Sequence, residues 1–272
     1  MLNMNGIVGD YDIVFLTLDT LRYDVAFQER KAGRLPVLGR YFSQWEQRHS
    51  PGSFTYASHQ AFFSGFFPTP IDNPAAPRPL AVEFAGSTSI SPNTKCFQAA
   101  TIVEGLANEG YHTVCIGGVG FFNKQTPLGN VLPDLFEESH WTEKMGVTCE
   151  ASTEHQIQQA LVSLGRLKTD QRVFLFINIS AIHQPNYFYD TDSIGEGGAD
   201  DIDSHAAALR YVDSQLQPLF EAFRTRRNTL FFVSSDHGTT YGENGYTGHR
   251  LAHDCVWTVP YVEFIQEAIL HD

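Results

Sequence analysis

The sequence predicts an α/β fold of three layers, with helices on both faces of a mainly parallel central sheet. Two patterns predict it. Short β-rich apolar runs alternate along the chain with longer stretches of helical periodicity, as in strands joined by crossover helices. The runs of strand length are continuously apolar rather than alternating, as expected of strands covered on both faces.

The elements follow in chain order. "DIVFLTLD" (Asp12 to Asp19) is the first buried strand. "SFTYASHQAFFSGFFP" (Ser53 to Pro68) reads as a helix beginning around Ala57, anchored in the core by Ala61, Phe62 and Phe63 and ended by Gly65 to Pro68. Thr69 to Thr94 is rich in proline, serine and glycine and reads as a solvated surface excursion rather than a lid. "TIVEGLANEGYHTVCIGG" gives a helix closed by Gly110 and a strand from about His112 to Ile116. "RVFLFINIS" is another buried strand. Ala206, Leu209, Val212, Leu216, Leu219 and Phe223 place one helix over "DSHAAALRYVDSQLQPLFEAFRTRR". "NTLFFVSSDHG" returns to strand and "WTVPYVEFI" is a last short one. The acidic, glycine-rich "YDTDSIGEGGADDIDS" (Tyr189 to Ser204) again reads as a solvated loop. With no convincing linker, residues 1–272 are expected to form one domain.

Composition narrows the function. Apolar residues make up 42% of the chain and charged ones 18%, enough for a sizeable core. A formal charge of −13 argues against nucleic-acid binding, which needs a basic face. It does not exclude an anionic substrate, because a bound cation can reverse the local field. No apolar run approaches the roughly 18 residues of a membrane span, so no membrane partner is expected. The N-terminus has no basic segment leading to an apolar stretch and cleavage site, which predicts a cytoplasmic protein. Cys96, Cys115, Cys149 and Cys255 form no C-x-x-C and read as structural thiols.

Ligands of parallel sheets gather outside the carboxyl ends of the strands. Polar residues stand at those ends: Asp19 and Thr20 after the first strand, His183 after "RVFLFINIS", Asp236 and His237 after a later one. Asp19 taken alone reads as a cap on the next helix, since a buried carboxylate must be paired, capping or bound to a cation. Asp236–His237 with a second carboxylate gives mixed oxygen and nitrogen ligands suited to Mn²⁺, Zn²⁺ or Mg²⁺. Both at strand ends favour a metal site. Thr55, taken alone, reads as a helix N-cap. In "GHRLAHD", His249 and His253 are four apart, which on a helix would put both on one face.

Five blocks, "IVFLTLDTLRYD", "TYASHQAFFSGFFP", "ANEGYHTVCIG", "AIHQPNYFY" and "VSSDHGTTYGENGYTGHRLAHDCVWTVPYV", run in one order from about Asp12 to Val262. In that order they resemble the alkaline phosphatase superfamily, and within it the sulfatase and phosphonate monoester hydrolase branch. The resemblance implies an alkaline phosphatase-like fold. It puts Thr55 at the nucleophile and Asp19, Asp236 and His237 at metal ligands, with the Thr55 oxygen completing the site. It puts His183 at a contact to substrate or leaving group. One divalent ion (Mn, Zn, Mg or Ca) is implied; the D-x-x-x-H of two-metal members is absent, because Ile179 stands four residues before His183. A second site using His183, His249 and another residue stays open.

The departures shape the expected activity. Sulfatases convert a cysteine or serine in C-x-[PA]-x-R to formylglycine; here Thr55 cannot give the aldehyde and His59 replaces the arginine. A directly attacking threonine instead resembles the superfamily's phosphodiesterases and lipoteichoic acid synthases. "GGVGFF" (Gly117 to Phe122) replaces the branch's G-K-W-H, removing an anion clamp. His249 lies near the branch's substrate-binding lysine; substrate contact, metal contact and a structural role remain open for it, while His253 reads as structural. Ser58 and His59 are expected on the first turn, facing the same pocket. The expectation is a metal-dependent hydrolase or transferase of small anionic phosphate mono- or diesters, without the C-terminal subdomain common in sulfatases, and with an oligomer compatible. Two other readings are a sulfatase or phosphonate hydrolase using unmodified Thr55, and a non-catalytic binding protein on the same fold.

Overall fold

A computed structural model describes residues 2–65, 100–168, 170–190 and 198–269, with the backbone of 80–82 and 95–97. The expected loop Thr69 to Thr94 lies outside the described residues apart from Leu80–Val82, as do residues 66–68 and the 191–197 part of the acidic loop.

The chain opens with β1 (Asp12–Leu18), then α1 (Tyr23–Lys31), β2 (Glu46–His49) and α2 (Thr55–Ser64). β3 (Leu80–Val82) and β4 (Lys95–Phe97) pair in parallel on their own. Next come α3 (Ile102–Asn108), β5 (His112–Ile116), α4 (Pro127–Val131), β6 (Glu138–His140), α5 (Ser152–Arg166) and β7 (Val173–Ile179). α6 (Ile202–Gln215), α7 (Gln217–Arg224) and β8 (Thr229–Ser234) lead to the short pair β9 (Thr240–Tyr241) and β10 (Thr247–Gly248), then α8 (Asp254–Trp257) and β11 (Thr258–Gln266).

The main sheet has the order β2-β11-β8-β1-β7-β5-β6. β1 runs parallel to both β7 and β8, and β11 is antiparallel to β8 and β2. Strand periodicity divides the core into two layers. Val14, Leu16 and Leu18 of β1, with Leu175, Ile177 and Ile179 of β7, pack under α1, α5, α6 and α7. Ile13 of β1, with Phe174 and Phe176 of β7, packs under α2 and α3 through Tyr56, Phe63, Val103 and Leu106. This is the expected three-layer α/β/α sandwich. By the same period Thr17, Asp19 and Asn178 belong to the face that α2 covers.

Several local expectations change. The helix expected over Asp203 to Arg227 is two, interrupted at Leu216, with Pro218 in the first turn of α7, where a missing N–H costs nothing. α2 starts at Thr55 rather than Ala57, with Phe54 as its N-cap and no capping side chain. Gly65 closes α2 at φ 74°, the left-handed conformation that glycine adopts without strain. His249 and His253 do not share a helix: the chain turns at Arg250 (φ 72°), and His253 caps α8 through a bond from Cys255 N–H. The last strand, β11, is nine residues long. β2 and β6 were not foreseen; β2 is a fully exposed, charged edge strand, and β6 has three half-buried residues, so neither shows the buried apolar pattern.

Candidate active site

Asp19 follows β1, Asp236 and His237 follow β8, and both strand ends open toward the N-terminus of α2. The parallel register β1–β8 pairs Thr17 with Ser234, so Asp19 and Asp236 leave the sheet side by side. Asp19 does not cap α1, whose N-cap is Arg22. Instead Asp19, Asp236 and His237 form a fully buried group whose ligand atoms lie within 4.8 Å of one another.

Each member is oriented by a second bond that leaves one atom facing the group. Asp19 Oδ2 accepts from Asn178 Nδ2 at 3.0 Å, leaving Oδ1 without a partner. Asp236 Oδ1 accepts from the backbone N–H groups of Thr20 (3.2 Å) and His237 (3.0 Å), leaving Oδ2 without a partner. Thr20 has φ 64°, which turns its N–H toward that carboxylate. His237 Nδ1 lies 2.8 Å from Gly238 O, so Nδ1 carries the proton and the Nε2 lone pair is presented to Asp236 Oδ2 (3.5 Å) and Asp19 Oδ1 (3.9 Å).

Two fully buried carboxylate oxygens and an imidazole lone pair converging on one point repel one another unless a cation or a proton lies between them. Burial, and then the neighbouring Asp236 charge, push Asp19 up to about 6; burial pushes Asp236 up to about 7. Burial also holds His237 below its ordinary value. The donor set therefore fits a divalent cation, and a carbonyl-bonded imidazole is the usual arrangement of a histidine ligand.

Thr55 stands at the first turn of α2, 2% exposed. Its Oγ1 is 3.4 Å from Asp19 Oδ2, to which it donates, and 3.3 Å from His237 Nε2. The free N–H groups of the first turn give that end of α2 a partial positive charge. The sequence-predicted residues Asp19, Thr55, Asp236 and His237 are thus brought together.

The two further histidines line the same opening. The His249 ring lies tilted by 40° against that of His237, 4.5 Å between centroids, and meets His183 edge-on at 5.7 Å. Burial, with the His237 and His183 rings beside it, pushes His249 down to about 3, and its buried Nδ1 has no partner. His183 Nδ1 donates to Gln184 O at 2.5 Å, which frees Nε2.

Ser58 and His59 are fully buried behind the opening, with His59 Nδ1 3.7 Å from Asp236 Oδ2. Ser58 Oγ lies 3.2 Å from Ser50 Oγ, which in turn donates to the carbonyl of Asp236. His59 is fully buried among Phe62, Phe63, Phe122 and Phe176, with Nδ1 donating to Thr55 O (2.7 Å) and Nε2 accepting from Thr17 Oγ1 (3.1 Å). Burial holds it down to about 3, so a neutral imidazole stands where the related motif has a cation.

Asn178 was missed at the site, and Thr20 was named only as a polar residue at the strand end, without its backbone role. Asn178 bridges Asp19 and the N–H of Val119 (2.9 Å), and Thr20 supplies the backbone donor to Asp236. Asn178 was visible as the polar residue inside the apolar run "VFLFINI". Nothing in the sequence marked the backbone of Thr20.

A sheet of this order with a carboxylate–histidine cluster at its strand ends defines an α/β fold of the alkaline phosphatase type. The sulfatase family profile matches residues 12–262, a span that holds all the site residues, and the chain belongs to that family. Among solved structures it resembles the C-terminal periplasmic domain of the phosphoethanolamine transferase EptC from Campylobacter jejuni, at 17% identity and TM-score 0.62, over 94% of this chain and 79% of that one. It resembles the lipoteichoic acid synthase LtaP from Listeria monocytogenes at 11% identity and TM-score 0.60, over 97% of this chain and 67% of that one. A protein of the alkaline phosphatase superfamily from Vibrio parahaemolyticus aligns at 16% identity and TM-score 0.59, over 96% and 61% of the two chains. No curated protein matches it by sequence. At these identities the likeness is one of fold.

Proposed function

We propose that this chain is a metal-dependent hydrolase or transferase of phosphate mono- or diesters with Thr55 as nucleophile, on one catalytic domain spanning residues 1–272. The observation that carries the reading is the convergence of two unpartnered, fully buried carboxylate oxygens and the His237 lone pair beside the Thr55 hydroxyl.

Asp19, Asp236 and His237 would hold the divalent cation, which lowers the pKa of a neighbouring hydroxyl and offsets charge on a transferring phosphoryl group. Thr55 attacks phosphorus in line: an Oγ1–P bond forms as the bond to the ester oxygen breaks. Its hydroxyl proton leaves along the bond to Asp19 Oδ2, so that the lone pairs of Oγ1 face the incoming ester. The α2 N-terminus favours the anionic group that accumulates there. His249, neutral at working pH, donates one hydrogen bond to a phosphoryl oxygen. His183, its Nδ1–H held by Gln184 O, gives the departing alkoxide a proton from Nε2 when the ring is doubly protonated. Water then hydrolyses the phosphothreonine, or an acceptor alcohol takes the group. The neighbours named as phosphoethanolamine transferase and lipoteichoic acid synthase support phosphoryl chemistry on this fold.

Family membership favours a second reading, sulfate or phosphonate ester hydrolysis by unmodified Thr55. A panel of aryl phosphate, phosphodiester, phosphonate and sulfate esters, run on wild type and Thr55→Ala with metal content measured for each, separates the two. Phosphoester turnover lost in Thr55→Ala is the expected result. Preferential sulfate turnover, or full activity of Thr55→Ala, would overturn the proposal.

A further inference from the structure

Away from the carboxylates, a second set of buried polar side chains joins three strand-end loops. Asn186, Ser204 and His205 are fully buried, and Tyr241 is half-buried. Asn186 Nδ2 donates to the carbonyl of Ile182, the residue before His183, at 2.8 Å, and to Tyr241 Oη at 3.1 Å. Its Oδ1 accepts from Ser204 Oγ at 2.6 Å. The N–H of Arg22, three residues after Asp19, donates to His205 Nε2 at 3.3 Å. That fixes the tautomer, so Nδ1–H donates to Tyr241 Oη at 2.9 Å. Tyr241, which follows β8, therefore bonds the loop after β7 through Asn186 and, through His205 of α6, reaches the loop after β1. The backbone N–H groups of Asn186 and Tyr187 are held as well, both by Asp200 Oδ1 (2.7 and 2.9 Å).

We propose that Asn186 is the positioning residue of His183, held in register with the carboxylate loops by Tyr241, Ser204 and His205. The inference rests on the reading that His183 meets the substrate. Buried polar side chains seldom outperform an apolar core in stability; Ser204 also caps α6 with Asp201, but Asn186, His205 and Tyr241 bond to one another and to loop backbone, which points to geometry rather than packing. The bonds end one residue before His183, three after Asp19 and, through Tyr241, four after His237. His183 itself is held by local bonds, from its N–H to Ser180 O and from Nδ1 to Gln184 O. Its ring direction therefore follows the loop, and Asn186 sets the loop.

The test compares Asn186→Ala, Tyr241→Phe, His183→Ala and the double variant His183→Ala/Asn186→Ala. It follows turnover of bis-p-nitrophenyl phosphate, Mn²⁺ affinity by calorimetry and the His183 ring resonances by NMR in the metal-free protein. Asn186→Ala should lower kcat by about 10- to 100-fold, as a misplacement of about 1 Å does, with KM and Mn²⁺ affinity nearly unchanged. It should shift the His183 resonances, and it should cost almost nothing further in the His183→Ala background. Tyr241→Phe, which removes one oxygen and keeps the ring, should act in the same direction and serves if Asn186→Ala does not fold. Independent, multiplying losses in the double variant, or unmoved His183 resonances in the single ones, would overturn the positioning role. A wild-type protein that turns over no ester would sink the functional reading, and the resonances would then decide the positioning role alone.

Discussion

Replacing Asp236 with asparagine should stabilise the metal-free protein while abolishing its metal binding. In the folded chain Asp236 is raised from 3.8 to about 7, chiefly by burial. A carboxyl raised in this way folds most easily protonated. Its penalty is absent below 3.8, grows as pH rises and is complete above about 7. At about 1.4 kcal/mol per tenfold, the penalty at pH 8 is on the order of 4 kcal/mol, and at pH 5 about 2 kcal/mol. Asparagine has the shape of the protonated acid. Its Oδ1 can accept from the Thr20 and His237 N–H groups as Asp236 does, while its Nδ2 meets the His237 lone pair.

The raw pH profile of the wild type will hide this term. His59, His205 and His249 are each pushed down to about 3 by burial, so they cost stability as pH falls below 6.5 and oppose the carboxylates. Subtracting wild type from variant cancels them. In EDTA, Asp236→Asn should melt higher than wild type at pH 8 by on the order of 10 °C, given about 2–4 °C per kcal/mol for a chain of this size. The gap should roughly halve at pH 5. With Mn²⁺ at about 100 times its dissociation constant the wild type should gain ~2.7 kcal/mol and the variant nothing. Equal metal-free stability of the two proteins at pH 8, or a gap independent of pH, would refute the argument that the carboxylates converge on a cation.

Other substitutions probe separate parts of the structure. Thr55→Ala should cut phosphoester turnover by about a thousandfold or more while Mn²⁺ affinity, read by calorimetry, stays within about tenfold. Thr55→Ser should keep measurable turnover. Gly118→Ala would put a Cβ 2.1 Å from Asn178 O and 2.9 Å from Asn178 Oδ1. It should cost about 3 kcal/mol in urea unfolding and weaken Mn²⁺ binding through displaced Asn178. Phe176→Ala removes a fully buried ring that touches Phe15, His59, Phe63, Phe122 and Phe136. Chemical denaturation should show a loss of ~3–5 kcal/mol.

What could be read from the sequence were features with a period or a strand end. β1, β7 and β8 are continuous apolar runs, and their parallel pairing follows from the helices between them. Asp19, Asp236 and His237 were legible because polar residues at the tips of such runs need a reason. The edge strands were not: β2 is exposed throughout, and β6 owes its place to half-buried His112, Glu138 and His140, which bond side chain to side chain. The relation of His249 to His253 was misread because a four-residue spacing assumes a helix, and the turn at Arg250 is a tertiary choice. Backbone donors such as Thr20 N–H, and the tautomers of His205 and His237, depend on contacts between distant segments that no local pattern carries.

The polar residues behind the site make sense only together. Thr17, Asn178 and His59 occupy buried positions on the face shared with Ile13, Phe174 and Phe176, where apolar side chains would pack without needing partners. Each is satisfied in a way that turns another group outward. His59 binds Thr55 O and Thr17 Oγ1, which fixes the first turn of α2, and Asn178 binds Asp19 Oδ2, which aims Oδ1. The arginine of the related motif would bring a positive charge to this layer; His59, held neutral by burial, brings none. The described residues around Thr55 then include Asp19, Asp236 and four histidines, His59, His183, His237 and His249, with the Arg250 charge near enough to add to the burial that holds His237 and His249 toward the neutral form. On the proposed reading, a divalent cation held by Asp19 and Asp236 would offset their charge before an anionic ester binds. On that reading, a neutral His59 in place of the motif's arginine leaves more of the anion recognition to the metal, the α2 N-terminus and His183, with Arg250 the nearby cation, and the loop geometry around His183 would matter to turnover accordingly.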